Sequence, residues 1–431
     1  TTYNLDVAFA HTDTSSFSLT GEYQSEAAQE AVEKRGAVKI THGYSKDHRP
    51  DLKQVVVTLV TSQKGRIPLW LEALDGNNSD KNSFRQTVDT YCRHLAEGNE
   101  PWFVMDSAAY TAENIGNWGK AQKWVTRVPE TIREARRALQ SVTTKEMTQL
   151  DNGYAIHATT SQYGGVDQRW LIVYSEHAEQ RERKQLDKRV ARAATKAEKA
   201  LKTVQKQEFG CKKDAQQAVA KVSKKLKWHT VTATYHPIKK YAQPGRPPNG
   251  AQRQIVGWQV KTTCHVDTKQ LEEAQQWLGR FLLATNELNQ NRLPDETVLG
   301  SYKAQGTTVE RGFRFLKDPL FFADSLFLKS PTRIMAMIMI MGLCLLIYAL
   351  AEWHIRQQLQ ERDETIPDQR GQPTQKPTMR RVAQMFEGVD LLIIRRDGQI
   401  IERQVLKLTP VRLQIIRLFS PTVQNCYLDG F

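Results

Sequence analysis

Three short segments, far apart in the chain, are each centred on one acidic residue. The acids are Asp13, Asp106 and Glu310, and their segments are predicted as strand, strand and helix in that order. Residues 102–105 are apolar on both faces, which is typical of a central strand, and Asp106 follows directly. Because open α/β sheets bind ligands at the carboxyl ends of their strands, this order predicts an α/β sheet with an acidic site.

The same three acids predict a site for divalent metal ions. Mg²⁺ and Mn²⁺ prefer oxygen ligands, and a pair of such ions is suited to cleavage and transfer of phosphodiesters. Each acid also has an ordinary structural explanation. Asp13 could be a strand-end or turn aspartate, Asp106 could cap a helix or close an Asx turn, and Glu310 could complete a capping box with Thr307.

The predicted helix around Glu310 has one polar and one apolar row. Positions i, i+4 and i+7 share a helix face, so Glu310, Arg314 and Lys317 form one row. The apolar row beside it consists of Val309, Phe313, Leu316 and Leu320. The helix is therefore predicted to bury one stripe while presenting an acid and two bases to a cleft, and Pro319 is predicted to end it.

The positive charge of the chain is concentrated in one segment. The formal net charge is +14, and residues 177–240 contain 18 Lys and Arg against 6 Asp and Glu. Such a segment favours a polyanionic partner, nucleic acid before membrane, although a solvated pair of charged helices would have the same composition.

Cysteine usage and hydropathy indicate the cellular compartment. The 5 cysteines are widely spaced, which argues against structural zinc and disulfides and for a reducing compartment, and no export signal opens the chain. The uncharged run at 334–351 is somewhat shorter than the roughly 20 residues of a membrane span. We therefore predict that it forms a helix buried on all sides in a soluble core.

The order of predicted elements indicates several domains, as expected for 431 residues. Strands come first, then alternating helices and strands, and a region with long basic helices interrupts this pattern. The predicted parts are the first part of a catalytic core at 1–150, an insertion with strands and basic helices at 151–298, the closing part of the core with the glutamate helix and the buried apolar helix at 299–362, a linker at 363–382 and a small β unit at 383–431.

Five stretches of sequence resemble the DDE transposases of bacterial insertion sequences. They are DTSSF at 13–17, HGYSKDHRPDLKQ at 42–54, DSA at 106–108, TRVPE at 126–130 and VERGFRFLKDP at 309–319. The resemblance is closest to the insertion-sequence-four superfamily, with its Y-x2-R-x3-E-x6-K pattern. It implies an α/β, RNase H-like mixed sheet flanked by helices and interrupted by a β-rich insertion with long basic helices.

The resemblance also implies roles for individual residues. Asp13, Asp106 and Glu310 would be catalytic and would hold two Mg²⁺ or Mn²⁺ ions. Lys317 matches the lysine of the pattern, whereas Tyr302 lies eight residues before Glu310 instead of seven, and Gly306 stands at the arginine position. The residues expected to contact DNA are Tyr302, Arg311, Arg314, Lys317, Lys46, His48, Arg49 and Lys53; for the last four, a solvated loop is the alternative.

The implied activity is metal-dependent DNA cleavage and strand transfer at insertion-sequence ends. Double-stranded DNA, both element ends and target, would be the partner of a homodimer in the bacterial cytoplasm at the nucleoid, without membrane attachment. The domain that grips element ends in such transposases is expected to be missing before Thr1. Two alternatives stay open: an inactive or truncated transposase remnant that binds DNA, and a membrane-anchored basic protein that binds nucleic acid without catalysis.

Overall fold

The protein is built from alternating strands and helices. The computed structural model describes residues 7–23, 25–95, 99–119, 121–241, 252–318, 328 and 330–428. The strands are β1 (Phe9–Leu19), β2 (Lys53–Ser62), β3 (Pro68–Leu74), β4 (Trp102–Met105), β5 (Trp124–Val128), β6 (Thr148–Leu150), β7 (Tyr154–Tyr163), β8 (Val166–Ser175), β9 (His229–Lys240), β10 (Gln254–Val266), β11 (Arg280–Thr285), β12 (Ile366–Pro367), β13 (Pro373–Thr374), β14 (Asp390–Arg396) and β15 (Gln399–Leu406). The helices are α1 (Glu26–Arg35), α2 (Asp80–Arg93), α3 (Ala112–Trp118), α4 (Arg133–Ser141), α5 (Glu176–Gln205), α6 (Lys212–Ser223), α7 (Thr268–Gln275), α8 (Asp295–Ala304), α9 (Val309–Leu316), α10 (Pro331–Glu361), α11 (Met379–Met385), α12 (Pro410–Arg417) and α13 (Pro421–Leu428).

The main sheet has nine strands in the order β3-β2-β1-β4-β5-β11-β8-β7-β6. Strand β1 is antiparallel to β2 and parallel to β4, β2 is antiparallel to β3, and β4 is parallel to β5. A hairpin meander followed by parallel strands reached through helices makes the sheet mixed. This confirms the prediction of a mixed α/β sheet flanked by helices.

The β2–β3 hairpin follows directly from its sequence. Six consecutive apolar or β-branched residues at 55–60 suit a strand that is buried on both faces, and all six are buried. The turn after β2 places Gly65 at φ +80° and Arg66 at φ +58°, a backbone region that favours glycine. Residues 37–42, which lie before this hairpin, form one bridge, from Thr41 to Gln54.

Contacts divide the chain into two compact units. The first comprises 1–129, 159–170 and 283–431, and the second comprises 130–158 and 171–282. In the second unit the basic helices α5 and α6 pack with the β9–β10 ribbon around Val204, Ala215, Val219 and Val260. Much of the predicted insertion lies in this unit. The domain boundaries predicted from sequence stay predictions, and residues 242–251 lie outside the described part of the chain.

Helix α10 corrects one prediction, because it is not buried on all sides. The helix packs on β3, α9 and α1, and one of its stripes, with Ile334, Ile338, Met341 and Leu345, shares a core with side chains of β2 and α9. We call the opposite side the exposed apolar face; it consists of Met339, Ile340, Leu343 and Ile347, which are 60%, 52%, 51% and 67% exposed. The helix meets the core along a single stripe. Among the described residues, α10 alone has the length and composition of a membrane span, a test that core helices also pass.

The carboxyl-terminal part joins helices and two short ribbons. Buried side chains at the end of α10, in α11 and in α12 form one core, which contains Ile355, Leu359, Ile366, Val382, Ile415 and Leu418. The predicted linker at 363–382 contains the small β12–β13 ribbon and the start of α11. The predicted β unit at 383–431 contains the β14–β15 hairpin together with α12 and α13.

Candidate active site

The sheet register brings Asp13 and Asp106 side by side. His11 on β1 pairs with Val104 on the parallel strand β4, so each aspartate lies two residues beyond a paired position. Asp13 Oδ1 accepts a hydrogen bond of 2.7 Å from the amide of Thr14. Asp106 Oδ1 accepts one of 2.9 Å from the amide of Ala108, so the Asx turn considered for Asp106 is present as well.

Both carboxyl groups of this acid pair have raised pKa values. Burial raises the pKa of Asp13 to about 7; the neighbouring charge of Asp106 adds to this effect, and the ammonium of Lys46 opposes it. Burial also raises the pKa of Asp106, where the amide of Ala108 and Lys46 oppose the shift and Asp80 adds to it. Buried carboxylates that repel one another are stabilised by a cation. The Asp13–Asp106 pair therefore fits a hard divalent ion in both its ligand chemistry and its electrostatics.

Lys46 and Asp80 complete the charged cluster. Lys46 Nζ donates to the carbonyl oxygen of Thr14 at 2.7 Å and to Thr14 Oγ1 at 2.9 Å, and it lies 3.3 Å from Asp80 Oδ1. Thr14 Oγ1 in turn donates to Asp80 Oδ1 at 2.7 Å. Lys46 was predicted to contact DNA, whereas Asp80 was not identified from sequence. Its only local signal is its position as the first residue of α2.

Close backbone packing fixes the loop that carries Lys46. The amide of Lys46 donates to Ser16 Oγ at 3.0 Å, and Gln54 Nε2 donates to the Gly76 carbonyl at 2.7 Å. At Gly76, a Cβ atom would lie 2.0 Å from the carbonyl oxygen of Gln54, so only glycine is accommodated there. The position of Lys46 beside the acids thus depends on contacts from three separate segments.

Glu310 occupies the second position of α9 with an exposed side chain. The capping box considered for it does not form within the described range 252–318: Thr307 Oγ1 donates to the Ala304 carbonyl at 3.1 Å, and the residue before α9, Thr308, makes no side-chain cap. The capping explanation for Glu310 is therefore wrong. The predicted apolar row is confirmed, since Val309, Phe313 and Leu316 are all buried; Pro319 and Leu320 lie outside the described residues.

Tyr302 connects the two parts of the predicted site. Burial raises the pKa of Tyr302, and its hydroxyl accepts a hydrogen bond from the guanidinium of Arg127. The charges of both Asp106 and Glu310 act on this hydroxyl. In the part of the chain that the structure describes, no three His, Cys, Asp or Glu side chains lie close enough to share an ion. The acid pair is thus assembled, but Glu310 does not join it in one metal cluster.

The other residues predicted to contact DNA have varied surroundings. Arg314 and His48 are exposed, and Lys317 Nζ forms an ion pair of 2.8 Å with Asp47. Arg49 forms a bidentate pair with Asp51 at 2.7 and 2.9 Å. Lys53 donates to the Glu22 carbonyl. Their roles in DNA binding stay predictions.

Arg311 belongs to a buried ionic cluster that was not anticipated. Its guanidinium lies 2.9 Å from Glu352, a carboxylate on α10 that is only 8% exposed. Arg356 and Arg66 lie 2.8 and 3.8 Å from the same carboxylate. Glu352 Oε2 also accepts a hydrogen bond of 2.9 Å from the amide of Met379. Arg311 therefore has a structural partner of its own.

Comparison with known proteins places these residues in a family. The Transposase DDE domain matches residues 13–347, a range that starts at Asp13 and includes Asp106 and Glu310. A piggyBac transposase, solved in a synaptic complex with hairpin DNA, matches 39% of this chain with 11% identity and a TM-score of 0.24, and the match covers 30% of that transposase chain. No curated protein matches significantly. Because the matched domain covers most of the chain, this protein belongs to the family of transposases with a DDE domain.

Proposed function

We propose that the protein is a DNA transposase that cleaves and joins DNA strands at the ends of a bacterial insertion sequence. The observation that carries this proposal is the half-buried Asp13–Asp106 pair, which the register of the parallel strands β1 and β4 brings together inside the matched domain. We further infer a homodimer on double-stranded DNA, acting in the bacterial cytoplasm at the nucleoid.

Asp13 and Asp106 are the residues that would hold Mg²⁺ or Mn²⁺. The bound ions would supply Lewis acidity for in-line displacement at a phosphodiester, both at the attacking hydroxyl and at the leaving oxygen. Glu310 would complete the ligand set for a second ion when DNA is bound. Its carboxylate is exposed on α9 and is therefore accessible to a bound DNA strand.

The neighbouring side chains would position the DNA backbone. The hydroxyl of Tyr302 can donate a hydrogen bond to a phosphate oxygen, and burial raises its pKa, which favours the protonated form. Arg314 lies on α9 with Glu310, and Lys317 directly follows the last residue of that helix; Arg provides a planar fork and Lys a point charge for phosphate. Together they would align one strand across the acids.

The direct test compares strand cleavage by the wild type and by Glu310→Gln. The substrate is a duplex carrying the ends of the element that encodes the chain, incubated with Mg²⁺ or Mn²⁺. Glu310→Gln should lose cleavage by at least about a hundredfold yet bind the duplex, because only the ligand charge is removed. Glu296→Gln, an exposed acid on α8, is the matched control and should cleave normally. Undiminished cleavage by Glu310→Gln would refute the role of this acid.

A further inference from the structure

We propose that Lys46 is an internal counter-cation of the Asp13–Asp106 pair, that Asp80 holds it there, and that it competes with divalent metal ions for this cluster. The inference rests on the proposed function, because it assigns the acid pair to metal binding. It gives Lys46 a role at the metal site in place of the DNA contact predicted from sequence.

The first argument is that the ammonium of Lys46 is fully engaged inside the cluster. Lysine has three N–H donors, and the ammonium has three oxygens of Thr14 and Asp80 within 2.7 to 3.3 Å. Only 29% of the side chain is exposed. To contact a DNA phosphate, Lys46 would have to give up these oxygens. In this structure its ammonium contacts the residue that follows Asp13, and its charge acts on both Asp13 and Asp106.

The second argument is the charge balance of the cluster. Asp13, Asp106 and Asp80 contribute three negative charges when ionised, and Lys46 contributes one positive charge. The remaining charge of minus two is balanced by one divalent ion. Without Lys46 the cluster would carry minus three, so a divalent ion would be attracted more strongly.

Asp80 acts here as a positioning residue. Its carboxylate accepts from Thr14 Oγ1 at 2.7 Å and lies 3.3 Å from Lys46 Nζ, so it ties the ammonium to the residue that directly follows Asp13. The backbone supports the same position through the bond from the Lys46 amide to Ser16 Oγ. Lys46 and Asp80 thus form a pair whose net charge is zero, placed against a pair of acids.

The test measures binding of Mn²⁺ to the full chain, without DNA, by electron paramagnetic resonance of the free ion. Lys46→Met should bind Mn²⁺ about tenfold more tightly, the order of magnitude expected for removing a single charge several ångströms from a double charge at the dielectric constant of water. Lys46→Arg, which keeps the charge, should bind as the wild type does. Lys81→Met, an exposed lysine next to Asp80, is the matched control and should change affinity less than about twofold, as exposed charges are screened.

A double variant separates positioning by Asp80 from direct metal binding by Asp80. Lys46→Met combined with Asp80→Asn removes one charge of each sign, so its Mn²⁺ affinity should return to within about threefold of the wild type. A loss of tenfold or more in the double variant would make Asp80 a metal ligand and overturn the proposal. If Lys46→Met does not fold, Lys46→Gln keeps a donor toward Thr14 and carries the same expectation.

Two results distinguish this inference from the proposed function. If the wild type binds Mn²⁺ and Lys46→Met binds it equally or more weakly, the counter-cation role is wrong while the proposed function stands. If the wild type binds no Mn²⁺, even with DNA present, both are wrong. Tighter binding by Lys46→Met, with Lys81→Met unchanged, supports the counter-cation role.

Discussion

Removing the charge of Asp13 should stabilise the metal-free protein at alkaline pH. The pKa of Asp13 rises from 3.8 to about 7 on folding, which corresponds to about 4 kcal/mol, since one pKa unit is about 1.4 kcal/mol. The folded state therefore holds this proton more tightly than the unfolded state does. The contribution to stability is fully present below about pH 4 and is lost as the pH rises through about 7. Asp13→Asn has no such loss.

The assay is urea denaturation of both proteins in EDTA from pH 5 to pH 8.5. The free energy of unfolding of Asp13→Asn should exceed that of the wild type by an amount that grows with pH and approaches about 4 kcal/mol at the alkaline end. Asp187→Asn, which removes an exposed acid on α5, is the control and should show no such trend. A difference between Asp13→Asn and the wild type that does not vary with pH would refute the electrostatic account.

Divalent metal should reverse the sign of this effect. An ion that binds the folded wild type at one hundred times its dissociation constant adds about 2.7 kcal/mol of stability. Asp13→Asn lacks one ligand and should gain much less from Mg²⁺ or Mn²⁺ at the same concentration. Equal stabilisation of both proteins by the metal would show that the ion binds elsewhere.

The remaining predictions concern stability and solubility. Glu352→Gln should lower the free energy of unfolding in urea by about 3 kcal/mol or more, because it leaves three guanidinium groups around a buried position without their carboxylate. The control Glu361→Gln, at the exposed end of α10, should lower it little, and equal losses in the two variants would contradict this prediction. Gly76→Ala should strongly lower the melting temperature, because its Cβ would lie 2.0 Å from a carbonyl oxygen. Gly300→Ala on α8 is the control: its Cβ would meet nothing within 4 Å, so it should raise the free energy of unfolding by about 1 kcal/mol. Replacing the exposed apolar face of α10 by Gln and Ser should reduce aggregation, measured by light scattering, and leave the free energy of unfolding within about 1 kcal/mol of the wild-type value. Unfolding of this variant at a clearly lower urea concentration than the wild type would show that the face is packed.

Local patterns predicted the central strands and the apolar stripe of α9 well. Residues 55–60 and 102–105 are continuous apolar or β-branched runs, and such runs suit buried strands. The register that aligns Asp13 with Asp106 then follows from parallel pairing of two strands that both point to one edge. The spacing of apolar residues around Glu310 correctly predicted which side chains of α9 are buried.

Other features depend on contacts that no local pattern encodes. The bond from Thr14 to Asp80 joins residues 66 positions apart, and the one from Lys46 to Thr14 spans 32. Helix α10 is apolar on every side, so its periodicity could not indicate that only one stripe meets the core. The strands β9 and β11 were not predicted.

The contacts of Glu352 link the glutamate-bearing helix mechanically to the carboxyl-terminal helices. Helix α10 has 31 residues and is about 46 Å long. A single oxygen of Glu352 holds both the guanidinium of Arg311, next to Glu310, and the amide of Met379, the first residue of α11. Arg380 on α11 also forms an ion pair of 3.2 Å with Asp318, which lies just after α9, so a displacement of α11 would reach α9 through two polar contacts. Helices α9 and α11 therefore cannot tilt relative to one another without breaking these contacts.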